Sequence, residues 1–286
     1  MVEIKHYAES LVKEDFRPKL KELLGLKLLA DNPEETAKKV NLPPRIDKFI
    51  KGVGKGINSL EMIKDGDHIL IGISGGKDSL TLALALALRK RHLPIDYKLE
   101  AVQVLWSEYP MTAAQTQDFE DYFAMLGIKY TQLPASMYGP KIKKRFSCYI
   151  CSRNRKRILF DYANEVGANK IAFGHHLDDI IQTTLMNMVY GGQLATMMPK
   201  QDFFGGDLQL IRPMCQCRER QVMAIAHELA LPVISIACPY RDDSGRMAIK
   251  PVIEQLEQIL PGAKENMYKA LFNVKAEYLP GVSYKK

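Results

Sequence analysis

Residues 69–80, ILIGISGGKDSL, join an apolar run to a glycine-rich turn and then to a helical pattern. Gly75 and Gly76 allow a turn with positive φ and a close approach of the backbone to a ligand. The helix that follows would direct its free N–H groups and the positive end of its dipole at an anion. Lys77 and the hydroxyls of Ser74 and Ser79 lie around the same point. The segment therefore predicts a strand, a phosphate-binding turn and a helix in succession.

A Walker loop does not fit this turn, because it would need glycine at Ile71 and Ser or Thr at Asp78. The sequence SGGKDS instead resembles the PP-loop of the N-type ATP pyrophosphatases. The resemblance implies that ATP is cleaved between its α and β phosphates and that the AMP half activates a substrate oxygen. An ordinary strand-to-helix turn would explain the glycines, but not the lysine, the aspartate and two serines together. The ATP-binding residues implied are Ser74, Gly75, Gly76, Lys77, Asp78 and Ser79.

Short apolar runs alternate with longer helical patterns from residue 68 onward. This alternation predicts an α/β fold with a doubly wound parallel sheet, in which ligands bind at the carboxyl ends of the strands. Ser74 and Gly174 both follow predicted strands, so we expect them at one edge of that sheet. The predicted strands are 68–73, 99–106, 128–133, 170–173, 208–212 and 232–236. The predicted helices between them are 78–91, 112–126, 152–166, 178–190 and 218–229.

Residues 1–48 are predicted as a small helical appendage, and residues 49–286 as the main domain. Helical spacing covers 7–12, 17–30 and 33–40, and Pro43-Pro44 then ends the pattern. The apolar face of the appendage is expected to pack on the main domain or on a second subunit. The glycines of residues 52–56 follow no strand, so we interpret them as a connector into a helix at 57–63. The tail from 252 to 274 is predicted as two helices broken at Pro261-Gly262.

The composition indicates a reducing compartment and an anionic partner. The chain has 286 residues, five cysteines and a net charge of +7, with a pI near 9.0. An odd cysteine count with one C-x-x-C is not typical of a secreted disulfide framework. The longest apolar stretch, residues 80–88, is too short to span a bilayer, and the first residues do not form a signal peptide. We therefore expect a cytoplasmic protein with no membrane association.

A second motif, GHHLDD at residues 174–179, closes the predicted strand at 170–173. Acids at the start of a helix would be favourable there without any ligand. Beside SGGKDS, however, the motif resembles the second signature of the PP-loop families that modify tRNA. That resemblance implies that Gly174 and His175 contact the nucleotide or substrate. Mg²⁺ would lie near Asp78 and Asp179, because a hard cation prefers carboxylate oxygens.

The third motif is a C-x-x-C formed by Cys148 and Cys151. Two thiolates at this spacing suit a redox disulfide, a structural zinc site or an iron–sulfur cluster. Spacing alone slightly favours zinc, for which Cys215, Cys217 and Cys238 could supply the remaining ligands. The surroundings are basic: residues 141–157 include eight Lys or Arg and no acid, with two aromatic residues interleaved. Such a run is either a solvated basic face or a surface for RNA phosphates and stacked bases.

Taken in order, the motifs resemble the tRNA 2-thiocytidine synthetase family of PP-loop proteins over roughly residues 54–274. Besides the three motifs, the resemblance includes the stretches at 54–67, 187–192, 211–213 and 217–219. It implies a [4Fe–4S] cluster bound by Cys148, Cys151 and Cys238. The family typically has C-x-x-C-G where this chain has Cys238 alone.

The resemblance implies an ATP-dependent tRNA sulfurtransferase that forms 2-thiocytidine in the anticodon loop. The C2 oxygen of a cytidine would attack the α-phosphate of ATP, and a sulfide on the free iron or a persulfide would then attack C2. Lys77 and Arg155 would stabilise charge on the phosphate oxygens. Asp78 and Asp179 would complete the catalytic set with Mg²⁺. The implied partners are tRNA, a sulfide or persulfide donor such as a cysteine desulfurase, and a second copy in a homodimer.

Three alternatives remain open from the sequence. A tRNA-Ile lysidine synthetase shares both ATP motifs but needs no C-x-x-C in a basic loop. A desulfidase could remove sulfur from a thiolated base on the same cluster, although the ATP site would then be unexplained. A zinc-containing RNA-binding module would not turn over ATP, and the complete PP-loop argues against it.

Overall fold

The computed structural model describes residues 14–30, 42–91, 94–137, 148–234 and 245–279. These residues contain nine α-helices and six strands. Helices and strands alternate along much of the chain, as expected of an α/β protein. The helices are α1 Phe16–Ala30, α2 Pro44–Ser59, α3 Lys77–Lys90, α4 Ala113–Leu126, α5 Cys148–Glu165, α6 Leu177–Gly191, α7 Glu219–Glu228, α8 Arg246–Ile259 and α9 Ala263–Ala270. The strands are β1 His68–Ile73, β2 Lys98–Trp106, β3 Lys129–Ala135, β4 Lys170–Ala172, β5 Lys200–Phe203 and β6 Leu208–Ile211.

The described residues divide into two compact units. Unit 1 comprises Met1–His176 and Pro199–Asp243, and it contains the whole sheet. Unit 2 comprises Leu177–Met198 and Ser244–Lys286. Its described elements are α6, α8, α9 and a short 3₁₀ turn at Ala276–Tyr278. The predicted pair of helices in the tail is confirmed, because α8 and α9 are separated by a turn at Gly262 with φ of +91°.

The six strands form one sheet in the order β3-β2-β1-β4-β6-β5. All neighbouring pairs are parallel except β5 and β6. The chain moves outward from β1 to β3 and then returns to β4 on the other side of β1. This reversal creates a switch point between β1 and β4, where open α/β sheets bind their ligands. The fold class predicted from the sequence is confirmed.

The long apolar stretch at residues 80–88 belongs to the buried part of α3 and not to a membrane segment. All residues from Ser79 to Leu88 are buried, and a helix that is apolar all round must be covered on every side. No helix within the described residues is long and apolar enough to cross a membrane.

The predicted connector at residues 52–56 is wrong, because α2 runs through it without a break. Pro44 starts this helix at a position where its missing N–H costs nothing. The glycines permit close packing: a Cβ on Gly56 would lie 2.6 Å from the Pro213 carbonyl oxygen, and one on Gly54 would meet the Arg89 guanidinium. Low helix propensity of glycine was thus overridden by burial. The expected boundary between residues 48 and 49 falls inside α2, and the division into appendage and main domain stays a prediction.

Two strand assignments also differ from the expectation. Residues 231–234 have no regular structure, and the rest of the strand predicted at 232–236 lies outside the described residues. Strand β5 was not predicted, because Lys200–Phe203 is a polar edge strand without an apolar alternation. Of the helices expected in the appendage, α1 matches the one at 17–30, whereas 7–12 and 33–40 lie outside the described residues.

Candidate active site

Hydrogen bonds to the hydroxyls of Ser74 and Ser79 hold the PP-loop together at the carboxyl end of β1. The Ser74 amide donates to Ser79 Oγ over 3.2 Å, and the Gly76 amide donates to Ser74 Oγ over 3.3 Å. Ser79 Oγ in turn donates to the Gly76 carbonyl oxygen at 3.0 Å. Gly75 has a φ of +87°, which a residue with a Cβ adopts only with strain. The two serines therefore hold the shape of the loop at the start of α3, whose dipole favours an anion.

Lys77, the first residue of α3, faces two carboxylates. Its Nζ lies 3.0 Å from Asp78 Oδ1 and 3.6 Å from Glu219 Oε1. Glu219 is the first residue of α7, and the sequence assigned it no role although it stands in the family's Cys-Arg-Glu stretch. These carboxylates hold the ammonium group of Lys77 beside the loop. A phosphate bound to the loop could then form an ion pair with this group.

The two ATP-related motifs meet at Gly174. A Cβ on this residue would lie 2.7 Å from the Asp78 carbonyl carbon and 2.9 Å from the Ser79 amide nitrogen. Only glycine allows the chain after β4 to approach the first turn of α3 this closely. His176, which is buried, has Nε2 at 3.8 Å from Asp78 Oδ1. His175 stands edge-on to the Phe173 ring at 5.8 Å. The predicted nucleotide residues of unit 1 thus lie at one edge of the sheet.

The acidic half of GHHLDD begins α6 and belongs to unit 2. Asp178 is 2% exposed, and its Oδ1 accepts a 2.7 Å hydrogen bond from Lys264 Nζ. Asp179 Oδ1 lies 3.8 Å from Arg246 Nη1. Both acids lie in the first turn of α6, where the helix dipole stabilises their negative charge. Of the two, Asp179 is the more exposed.

Helix α5 carries the C-x-x-C motif on its first turn. Cys151 is partly buried against a cluster that includes Trp106, Met137 and Leu159. Trp106 ends β2, so this part of α5 lies by the carboxyl edge of the sheet, the same edge as the PP-loop. The side chain of Cys148 and all of Cys238 lie outside the described part of the structure. Within that part, no group of three or more His, Cys, Asp or Glu could hold a metal.

Arg155 packs against Trp106, a contact that the sequence did not reveal. Its guanidinium carbon lies 5.8 Å from the centre of the indole ring, within the range of a cation–π interaction. Among the described atoms, Arg155 Nε and Trp106 Nε1 are buried without a hydrogen-bond partner. Buried donors without partners are costly unless a ligand or water satisfies them. The pair is therefore suited to receive an acceptor at the cysteine-bearing end of α5.

Lys156 of α5 and Arg212 form a pair of neighbouring cations. Burial lowers the pKa of Lys156, and the positive charge of Arg212 lowers it further. Arg212 is 4% exposed and follows β6. Two neighbouring cations, one of them with a lowered pKa, are suited to bind a phosphate between them.

Cys215 and Cys217 are fully buried beneath α2. A Cβ on Gly52 would lie 3.4 Å from Cys217 Sγ, and one on Gly56 would lie 3.2 Å from Cys215 Sγ. The two residues do not continue β6, because this strand ends at Ile211 and a turn follows. Burial, and to a smaller extent the neighbouring Cys215, raises the pKa of Cys217 to about 12. Both thiols therefore pack as small apolar groups against the glycines of α2.

Comparison with known proteins places this geometry in a family. A family model described as a PP-loop domain matches residues 45–235. A tRNA-cytidine(32) 2-sulfurtransferase of Ralstonia pickettii is 35% identical over 233 residues, or 79% of this chain and 73% of that protein. One from Pelobacter propionicus is 36% identical over 82% of this chain and 89% of its own length.

A solved structure has the same fold. The U34-tRNA thiolase NcsA from Methanococcus maripaludis, determined with its [4Fe-4S] cluster, superposes with a TM-score of 0.69 at 24% identity. The match covers 84% of this chain and 83% of that one. These findings confirm the resemblance inferred from the three motifs. With a matched PP-loop domain and relatives above 30% identity over most of its length, the chain belongs to the tRNA-cytidine(32) 2-sulfurtransferase family of PP-loop proteins.

Proposed function

We propose that the chain catalyses the ATP-dependent thiolation of a tRNA cytidine at C2, which forms 2-thiocytidine in the anticodon loop. The observation that carries the proposal is the close approach of Gly174 to the backbone of Asp78, because it brings the start of the GHHLDD motif against the PP-loop. The names of the relatives support tRNA as substrate and sulfur as the transferred atom.

In the first step the phosphates of ATP bind to the loop Ser74–Ser79 and to the N-terminus of α3. The cytidine C2 oxygen attacks the α-phosphate, and pyrophosphate leaves with the electrons of the broken bond. Lys77 and Arg155 stabilise the charge that develops on the phosphate oxygens. The carboxylates of Asp78 and Asp179 are the proposed ligands of Mg²⁺, whose preferred donors they supply. Gly174 and His175 border the nucleotide.

In the second step a sulfur nucleophile replaces AMP at C2. We propose Cys148, Cys151 and Cys238 as the ligands of a [4Fe–4S] cluster, which would supply one iron without a protein ligand to hold sulfide. Support for Cys238 comes from Ile234, whose amide donates to the Gly75 carbonyl oxygen over 2.8 Å. Cys238 is four residues further on, so its Cα is within about 15 Å of that of Ile234. A cysteine at this distance can reach the nucleotide edge of the sheet.

The RNA would lie over the basic surface around α5. Lys156 and Arg212 are proposed to contact phosphates, because their mutual repulsion is relieved when an anion binds between them. Arg155, on the same helix as Lys156, and Trp106, at the end of β2, each have a buried donor that no described atom satisfies. The sulfur comes from sulfide or from a persulfide carrier such as a cysteine desulfurase, and the reaction takes place in the cytoplasm, where thiols stay reduced.

The test is reconstitution under anaerobic conditions with ATP, Mg²⁺, sulfide and unmodified tRNA. We expect pyrophosphate release and one 2-thiocytidine per tRNA, detected by nucleoside mass spectrometry. Replacement of Cys148 by serine should abolish the thionucleoside and leave ATP binding intact. A lysidine synthetase would keep its activity in that variant, a desulfidase would consume thiolated tRNA without ATP, and an RNA-binding module would release no pyrophosphate. Any of these three results would refute the proposal.

We also propose that the protein is a homodimer formed through an apolar groove in unit 2. The groove has a volume of about 740 Å³ and is bordered by Ile181, Leu185, Met188, Leu194, Leu271 and Val274. All but two of the large hydrophobic side chains that are exposed in the described residues lie in this unit, the exceptions being Tyr149 and Phe204.

The chemistry of the groove favours a second copy over RNA. Lys275 is the one charged residue among the described residues that line it, whereas an RNA surface is rich in cations. Half-exposed side chains of this size each leave on the order of 100 Å² in water. The apolar area that the exposed side chains of unit 2 could bury therefore approaches the roughly 800 Å² per partner of a stable interface. Groove and exposed apolar side chains occur in the same unit, and a two-fold symmetric contact can pair such a surface with its own copy.

Sedimentation at micromolar concentration tests this pairing. The wild-type chain should be a dimer, and Met188→Asp with Leu194→Asp should make it a monomer. Phe204→Asp introduces the same charge at an exposed site of unit 1 and should leave the dimer intact. A monomeric wild type, or a double variant that still dimerises, would refute the proposed interface.

A further inference from the structure

Unit 2 contains a partly buried ion triad of which only one member, Asp178, belongs to a sequence motif. Lys264 Nζ donates to Asp178 Oδ1 over 2.7 Å and to Glu254 Oε1 over 2.6 Å. The lysine is 6% exposed and Asp178 is 2% exposed, whereas the Glu254 side chain is 47% exposed. The ammonium thus binds one fully buried acid of the GHHLDD motif and one acid at the surface. Lys264 and Asp178 are 86 residues apart in the sequence.

The turn before α9 is built to deliver this lysine. Gly262 has a left-handed conformation with φ of +91° and is the residue directly before α9. Both the Gly262 amide, at 3.3 Å, and the Lys264 amide, at 3.1 Å, donate to the carboxylate of Glu257. This carboxylate satisfies amides that the first turn of a helix otherwise leaves unpaired. The Lys264 backbone is therefore fixed by α8, and its side chain reaches into the start of α6.

Lys264 is charged at neutral pH. Burial by itself would lower the pKa of this lysine, but its hydrogen bonds to Asp178 and Glu254 outweigh burial and raise the pKa. The Asp178 carboxylate also lies at the positive end of the α6 dipole. A buried pair of this kind adds little net stability compared with an apolar pair of the same volume. What it does add is a defined position for each of the two charged groups.

We propose that Lys264 is a positioning residue: it fixes the carboxylate of Asp178 and, through it, the first turn of α6, which carries Asp179. This inference rests on the proposed function, in which Asp179 is a ligand of Mg²⁺. Asp178 is thereby withheld from the metal, since its Oδ1 is held by the lysine. Without Lys264 the carboxylate would lose the partner that fixes it, and Asp179 would lose its fixed position.

The main test compares Lys264→Met with Lys269→Met, an exposed lysine on the same helix. Lys264→Met should raise the Mg²⁺ concentration needed for half-maximal pyrophosphate release at least tenfold, while the KM for tRNA stays within about twofold. Lys269→Met should change neither value. Hydrogen exchange should become faster in the amides at the start of α6 in Lys264→Met alone. Unchanged exchange there, or an unchanged Mg²⁺ requirement, would refute the positioning role.

A double variant separates positioning from stability. Lys264→Met with Asp178→Asn removes both charges, so the melting temperature lost in Lys264→Met should largely return. We expect the raised Mg²⁺ requirement to persist, because the anion that fixes the turn is missing. If activity returns together with the melting temperature, the pair is merely structural and the inference is wrong. The hydrogen exchange result does not depend on turnover, so it stands even if the wild-type protein proves to thiolate no tRNA.

Discussion

Gly174 lies against the peptide group between Asp78 and Ser79, with room for a hydrogen atom but not for a methyl group. A Cβ would stand 2.8 Å from the Asp78 carbonyl oxygen and 2.7 Å from its carbon. These atoms belong to the first turn of α3, which cannot move without moving the loop that precedes it. The two ATP-related motifs are therefore in direct backbone contact.

Replacement of Gly174 by alanine should displace this turn and weaken ATP binding. We expect a loss of at least tenfold in affinity for ATP, measured by calorimetry, because the neighbouring atoms are backbone and cannot rotate away. Gly25→Ala is the matched control, since a Cβ on Gly25 in α1 would meet nothing within 4 Å. Equal affinity of the two variants for ATP would contradict this prediction.

Lys77→Met should lower the rate of pyrophosphate release by about 10² to 10³, the usual cost of losing one group that stabilises transition-state charge. The lysine is held beside the loop by Asp78 and Glu219. In the proposed site this loop binds the phosphates of ATP, so removal of the lysine removes a positive charge next to them. Lys90→Met, at the far end of the same helix, changes the charge equally and should keep the rate. The rate is measured in single-turnover experiments with saturating ATP. A wild-type rate in Lys77→Met would exclude the assigned role.

Much of this arrangement could be predicted because it is encoded locally. Strand β1 and helix α3 are continuous apolar segments separated by glycines, and their bounds agree with the prediction to within one residue. Motif order identified the family before any contact was known. The predicted strands at 68–73 and 170–173 also indicated that Ser74 and Gly174 lie at the same edge of the sheet.

Other features depend on contacts between distant residues and leave no local pattern. The glycines of α2 are typical of a loop, yet they are helical because Pro213 and Arg89 pack on them. Lys264 looks like an ordinary surface lysine until the fold brings it to Asp178. Strand β5 is polar because it lies at the sheet edge, where alternation is not required.

Trp106 is the only tryptophan, so its fluorescence should report on Arg155. Arg155→Ala removes a guanidinium that lies 5.8 Å from the indole, and we expect a shifted emission maximum together with slower thiolation. Arg153→Ala, an exposed residue on the same helix, should leave the emission unchanged. Emission spectra of the three proteins decide the matter, and identical spectra would argue against the contact.

Arg17 links α1 to α4, and its loss should affect stability but not catalysis. Its guanidinium lies 2.6 Å from Asp118 Oδ1 and 2.8 Å from Asp121 Oδ2. Gln117 and then Arg17 lower the pKa of Asp121, so this stabilisation is present above the ordinary carboxylate pKa and is lost as the pH falls through the lowered one. Because the pairs are partly exposed, Arg17→Ala should lower the melting temperature by no more than roughly 4 °C at pH 7. The difference should vanish in strong acid, and a constant difference would contradict the assignment.

The last prediction concerns the thiol of Cys217. Its pKa of about 12 lies above the ordinary value of 9.0 because the side chain is buried, so the neutral thiol stabilises the fold fully below pH 9. That contribution is lost as the pH rises through 12. In a variant whose other cysteines are replaced, Cys217 should resist iodoacetamide at pH 8.5 and react once urea unfolds the chain, whereas a protein that keeps only Cys151, which is partly exposed, should react when folded. Cys215→Ala with Cys217→Ala should retain the visible absorption of a cluster, and Cys238→Ala should lose it. Rapid alkylation of folded Cys217 would contradict its burial, and absorption lost in the double variant would mean that these two cysteines bind the metal.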